Sequence, residues 1–398
     1  MNKRTAASAL AAAAAMLCGT AAAATPASAA AAPPTAHRLL GVSCASAKQC
    51  LAVGQDQNAF KGAGGPLAET WNGTTWRTVA VRLPSGATGG ILGNVSCVTA
   101  TRCVAVGFYD KGSSQFALAD VWNGATWTPA QPPAPGGQNT ALSGVACRSA
   151  ANCVAVGAYT RNTSGGPTSA PLAETWNGRK WTQVRPPVPG GSILSGLDAV
   201  SCPATSRCVA TGIVLSNKTS AVLIESWNGR AWSAMKAAAL PATTIGELTG
   251  VSCSSASACT AVGYESSPKG LASLVQTWNG RSWRITTVPW PKGTSNELLS
   301  GVWCAAANRC VAVGTVDSNL SAASNTGKAA AATWNGKTWA VTGVPAPGKG
   351  KSSLFEKVTC LGPADCVAVG QLGPAGSTNG TGLSGFWNGT SWRLVSAR

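Results

Sequence analysis

Two cysteines with five residues between them recur seven times in this chain, so the fold must repeat seven times as well. The pairs are Cys44 and Cys50, Cys97 and Cys103, Cys147 and Cys153, Cys202 and Cys208, Cys253 and Cys259, Cys304 and Cys310, and Cys360 and Cys366. Behind each pair comes W-N-G-x-x-W, starting at Trp71, Trp122, Trp176, Trp227, Trp278, Trp334 and Trp387. Successive first cysteines lie 50 to 56 residues apart, a period near that of four-stranded propeller blades.

Each repeat reads as four short strands. In the third, Ser143–Cys147, Cys153–Gly157, Leu172–Trp176 and Trp181–Val184 alternate or run apolar between turn residues, and no amphipathic helix fits. A small sheet with two apolar faces can bury both only between neighbouring sheets. The expected fold is therefore all-β, a seven-bladed β-propeller, with an open β-solenoid as the main rival. The expected organisation is an export signal over 1–29, a short linker over 30–38 and blades over 39–90, 91–140, 141–193, 194–245, 246–297, 298–353 and 354–398.

A five-residue gap suits a loop joining two antiparallel strands, with the sulfurs at opposed positions, so each bridge is expected to staple one hairpin. Asn-Gly predicts a two-residue type I′ turn, because both residues tolerate positive φ. That turn would set Trp71 opposite Thr74 and put Trp76 on the face of Trp71, offering paired indoles to the next blade. On the second strand, Cys103, Ala105 and Gly107 make a small side and Val104 and Val106 a branched one. Two residues before the first tryptophan stand Glu69, Asp120, Glu174 and Glu225, then Gln276, Ala332 and Gly385; a recurring structural hydrogen bond is the expected role of the acids.

The Asn-Gly-x-x-Trp turn resembles the Gly-x-x-Trp half of the Asp-box in sialidase-type propellers, although tryptophan stands where the aspartate would. The period also resembles that of kelch repeats, with the double glycine reduced to one, as in Ala52-Val53-Gly54. Over nearly the whole mature chain the pattern is similar to secreted actinobacterial proteins with repeated cysteine-pair and W-N-G-x-x-W motifs. That resemblance implies fold and export, not an activity.

The N-terminus reads as an export signal: Lys3 and Arg4, an alanine-rich apolar stretch from Ala6 to Ala24, and the cleavage pattern Ala27-Ser28-Ala29. Removing it takes Cys18 and leaves fourteen of fifteen cysteines, an even number that suits an oxidising compartment outside the cell. With one histidine and no C-x-x-C, neither a metal nor any other cofactor is expected. Loss of Lys3 and Arg4 lowers the formal charge from +17 to +15. The excess comes from scarce acid, so a solvated, mildly basic surface is expected rather than a nucleic-acid patch, with a residual bias toward anionic extracellular polymers.

In an up-and-down blade the first and third turns share one face of the ring, and the second turn and linker share the other. The first face carries near-identical loops and the second carries variable ones, so ligand contacts are expected on the second. The candidate binding residues are Phe60, Tyr109, Tyr159, Arg161, Tyr264 and Trp290. Asp56, Asp110, Glu265 and Asp317 would be the acids if the ring were a glycosidase, sialidase or lyase. The expected function is a secreted, monomeric, non-catalytic binding or scaffolding module for an extracellular polysaccharide, cell-wall polymer or protein, without a membrane anchor. A carbohydrate-active enzyme is the alternative, and a purely structural surface protein the third reading.

Overall fold

The computed structural model describes residues 36–396 except 58–63, 136–138, 218–219, 242–243, 268–269, 295, 318–325 and 378. The export segment and Cys18 lie outside the described residues. Every regular element described is a strand, and the 28 strands form seven antiparallel sets of four, hydrogen-bonded in chain order. Blades 5 and 6 are also linked by one parallel bridge, Leu271 with Asn296. The blades open slightly earlier than the repeat boundaries suggest, blade 1 at His37 and blade 7 at Lys351.

Seven apolar cores lie between blades, one at each junction. Between blades 2 and 3, Val104, Val106, Ala117 and Ala119 of one sheet pack on Leu142, Val145, Cys153, Ala155, Leu172, Trp176 and Trp181 of the next. The branched side of each second strand thus meets the small side of its neighbour, which leaves room for the indoles. Blade 7 closes on blade 1 by the same rule: Val367 and Val369 pack on Leu39, Val42, Cys50, Ala52, Leu67 and Trp71. No strand is exchanged, since blade 1 is His37–Thr78 and blade 7 is Lys351–Ser396. The closing seam is tied by Arg38 with Glu356, by the indole N–H of Trp76 donating to Ser384 Oγ at 3.0 Å, and by His37 N donating to Gly380 O at 2.7 Å. The chain is a seven-bladed β-propeller.

The single glycine of each A-V-G-type second strand has a steric cause. The first strand carries a bulge opposite it, so that Leu39 pairs with Gly54 while Gly41 pairs with Val53. A Cβ on Gly54, Gly157 or Gly370 would sit 1.9 to 2.0 Å from a first-strand carbonyl oxygen, a contact no side chain survives.

All seven disulfides join opposed positions of a hairpin, with Cα separations of 3.9 to 4.0 Å. The Asn-Gly turn differs from expectation. Trp71 pairs directly with Trp76, so four residues, not two, make the loop, and the same register holds in every blade. Glycine alone takes positive φ there, 99° at Gly73. Asparagine instead folds its side chain over the loop: Asn72 Oδ1 accepts the N–H groups of Thr74 and Thr75, each at 2.9 Å. This side-chain cap competes with the type I′ conformation. Because four and two have the same parity, the two indoles still share a face, 5.3 to 5.7 Å apart in all blades. The first indole N–H then reaches the disulfide loop, as Trp176 does to Ala150 O at 3.1 Å.

The acids ahead of the motif do not make the expected hydrogen bond. Glu69, Asp120, Glu174 and Glu225 are buried, yet Glu69 Oε2 and both oxygens of the other three have no partner among the described residues. Burial raises their pKa values, to about 8 for Glu174 and about 7 for the other three. Only Gln276 makes a bond of the expected kind, its amide pairing with the backbone N–H and carbonyl of Ala238.

Candidate functional site

The seven first strands surround an axial cavity of about 200 Å³. In each, the bulge singles out one residue: Leu40, Gly93, Ser143, Asp198, Thr249, Ser300 or Glu356. Bulges re-aim side chains, and here five of the seven are uncharged. The next position is small in blades 1, 3, 4, 5 and 6 because neighbouring backbones nearly touch; a Cβ on Gly41 would lie 2.8 Å from Asn94 Cα. Blade 7 places Lys357 there.

Asp198, Glu356 and Lys357 therefore break the symmetry at the axis. Lys357 Nζ reaches past its own blade to donate to Thr249 O at 2.7 Å and Ser300 O at 3.1 Å. Burial lowers its pKa, while Glu356 and Asp198 pull the other way. The carboxyls of Asp198 and Glu247 are neighbours that can share a hydrogen bond when one of them is protonated. Burial, then the Glu247 charge, raises Asp198 well above the usual carboxylate range. Burial also raises Glu247, which accepts the Tyr264 hydroxyl. Carboxyls in hydrogen-bond contact are closer than the roughly 5 to 10 Å that glycosidase acid pairs require, so this chain of groups fits a bolt across the axis better than a catalytic pair. The repeat carries a signal for it: Asp198, Glu356 and Lys357 bear charge in two strand columns whose other members are uncharged.

Among the sequence-nominated residues, Tyr264 joins that bolt. Tyr109 is buried, stacked on Phe116 at 5.5 Å in the core between blades 1 and 2. Trp290 packs beside the core of blades 5 and 6 and donates to Ser273 Oγ at 2.8 Å. Phe60 lies outside the described residues. The four acids stand apart on the second strands of blades 1, 2, 5 and 6. Asp56 is 3.7 Å from His37 Nε2, Asp317 accepts the Thr326 hydroxyl at 2.6 Å, and Glu265 sits half-buried opposite Ala272.

Asp110 and Tyr159 come together. They line a cleft of about 470 Å³ between blades 2 and 3, on the second-turn face, with Gln115, Asn139, Thr160 and Ser169. Its edge is set by Asn139, the one non-glycine residue with positive φ (52°) among those described. Its carbonyl accepts Thr160 N at 3.0 Å and its side chain accepts Gln115 N at 3.2 Å, which joins the two blades. Arg161 is exposed on the same face of the strand as Tyr159, two residues on.

No family model matches the chain, and no curated protein is significantly similar to it. Solved structures do match. The protein described as YCF48 bound to D1 peptide aligns with a TM-score of 0.50 at 16% identity, over 85% of this chain and 92% of that one. The GH74 xyloglucanase from Xanthomonas campestris aligns with a TM-score of 0.54 at 13% identity, over 90% of this chain and 54% of the enzyme. A protein of unknown function from Dyadobacter fermentans aligns with a TM-score of 0.50 at 10% identity, over 76% and 93%. The likeness is one of fold.

Proposed function

We propose that the protein is a secreted, non-catalytic binding propeller that holds an extracellular ligand at its second-turn face, in the cleft between blades 2 and 3. The convergence of Asp110, Tyr159 and Gln115 carries this reading. No hydrogen bond among the described residues uses the Asp110 carboxylate, the Tyr159 hydroxyl or the Gln115 side-chain amide. Half-buried polar groups around an aromatic ring that rests on the core between blades 2 and 3, in a cleft of ligand size, suit a polyhydroxylated chain or a peptide. Seven disulfides support an oxidising, extracellular setting. Similar propellers include a peptide-bound protein and a glycoside hydrolase, so both ligand classes occur on this architecture.

A retention assay on insoluble cell-wall glycans, with reducing-end release measured in parallel, tests the reading. Retention without release is expected, with Asp110→Asn combined with Tyr159→Phe, which keeps the ring on the core, lowering retention at least tenfold at unchanged melting temperature. Release of reducing ends that depends on Asp56, Asp110, Glu265 or Asp317 would favour the enzyme instead.

A further inference from the structure

The opposite face carries an interaction surface of its own. Disulfide loops and Asn-Gly loops touch in every blade; a Cβ on Gly73 would meet Lys48, and one on Gly229 would meet Ser206. They form one surface. Three residues after the first motif tryptophan, blades 1, 2 and 7 have Thr74, Ala125 and Thr390, whereas four consecutive blades have Arg179, Arg230, Arg281 and Lys337. The disulfide and turn loops of the same four blades add Arg148, Lys180, Arg207 and Arg309. All eight are exposed and none is in an ion pair among the described residues. No acid stands among these loops in blades 3 to 6; on this face the one acid is Asp365 of blade 7. Lys48 of blade 1 and Arg102 of blade 2 add one exposed cation each to this face and blade 7 adds none, so its positive charge is densest over the arc of blades 3 to 6.

We infer that this arc docks a linear phosphodiester polymer of the cell surface. Eight cations without counter-charges raise the local concentration of anions and release counterions when a polyanion binds. Six of the eight are arginine, whose planar fork matches phosphate oxygens. Sugar rings would call for exposed aromatic platforms, but the tryptophans nearest this face are turned into the blade cores. What the arc offers is backbone charge recognition, which suits a polymer whose charge lies in its linkages. This surface is independent of the cleft between blades 2 and 3.

Binding of poly(glycerol phosphate) to the full mature protein, followed by fluorescence anisotropy across a salt series, tests the inference. Affinity should fall roughly 50-fold between 50 and 200 mM salt, as about four released counterions dictate. The quadruple variant Arg179→Thr, Arg230→Ala, Arg281→Thr, Lys337→Thr should bind at least tenfold more weakly. It should melt as the wild type does, since it installs residue types that blades 1, 2 and 7 already carry. Lys328→Ala, exposed on the other face, should bind unchanged. Equal affinity in the quadruple variant, absence of binding at 50 mM salt, or tighter binding of polygalacturonate or of phosphatidylglycerol vesicles would each overturn the assignment.

Discussion

On one face of the ring seven disulfide hairpins and seven Asn-Gly loops repeat the same bonds, whereas on the other the second turns range from two residues, between Lys111 and Ser114, to ten, between Asp317 and Lys328. In all seven Asn-Gly loops the asparagine Oδ1 accepts two backbone N–H groups. Uniform backbone does not make that face uniform in charge. Once the asparagine, glycine and tryptophan are fixed, the two residues between them are free to vary, and four blades place cations there. On the variable face, difference resides in the backbone itself, and it shapes a cleft.

If the repeated face is the scaffold, breaking it should cost the most. Reducing all seven bridges should unfold the protein at 37 °C, since each short loop contributes about 2 kcal/mol; circular dichroism with and without reductant measures this. A native-like melt after reduction would show that the blade cores suffice.

Next in size is Gly157→Ala, whose Cβ would lie 2.0 Å from Ala141 O. A loss of about 3 kcal/mol or more is expected in denaturant titration, because the bulged first strand must move. Gly112→Ala, in a second turn with nothing within 4 Å of the added carbon but with φ of 62°, should lose only about 1 kcal/mol.

A comparable effect is expected from pH. Glu174 has its folded pKa raised to about 8 by burial, against an ordinary glutamate value of 4.5. Both states are protonated below pH 4.5, so the group costs nothing there. Between pH 4.5 and about 8 the unfolded chain ionises while the folded one does not, and stability falls as pH rises. Glu174→Gln should therefore flatten the pH dependence of the melt and stabilise the protein at pH 7 by on the order of 3 kcal/mol. An unchanged pH profile would mean that the carboxylate is solvated in the fold.

Smaller still is Asn177→Ala, which removes two hydrogen bonds from one Asn-Gly loop and should cost about 1 kcal/mol. Arg161→Ala, exposed on the variable face, should change stability by less than about 0.5 kcal/mol.

Much of this architecture was legible in the repeat. Cysteine spacing gave the hairpin staples, and the two sides of Cys103–Gly107 gave the interlocking of neighbouring blades. The turn is ambiguous in the sequence because Asn-Gly encodes two conformations, and only the pairing of Trp76 with Trp71 selects the longer, side-chain-capped one. The hydrogen bond expected of Glu174 and its equivalents was not found, since a repeated acid states a position but not a partner. Charge clustering was hidden because composition averages over both faces, and the topology alone brings Arg179, Arg207 and Arg230 together. The axial bolt lies in strands and not in the variable loops, and only its charged residues, Asp198 and Lys357 among uncharged neighbours in the repeat, mark it in the sequence. Asp110 and Tyr159 belong to different repeats, and that they share one cleft follows from the packing of blade 2 on blade 3.

Hydroxyl-radical footprinting of the intact protein, with and without a neutral cell-wall glycan that retains it, tests the division of labour between the faces most directly. Protection centred on Tyr159, with the motif tryptophans and disulfide loops unchanged, is the predicted result. Protection confined to the Asn-Gly and disulfide loops, with Tyr159 oxidised as before, would contradict it.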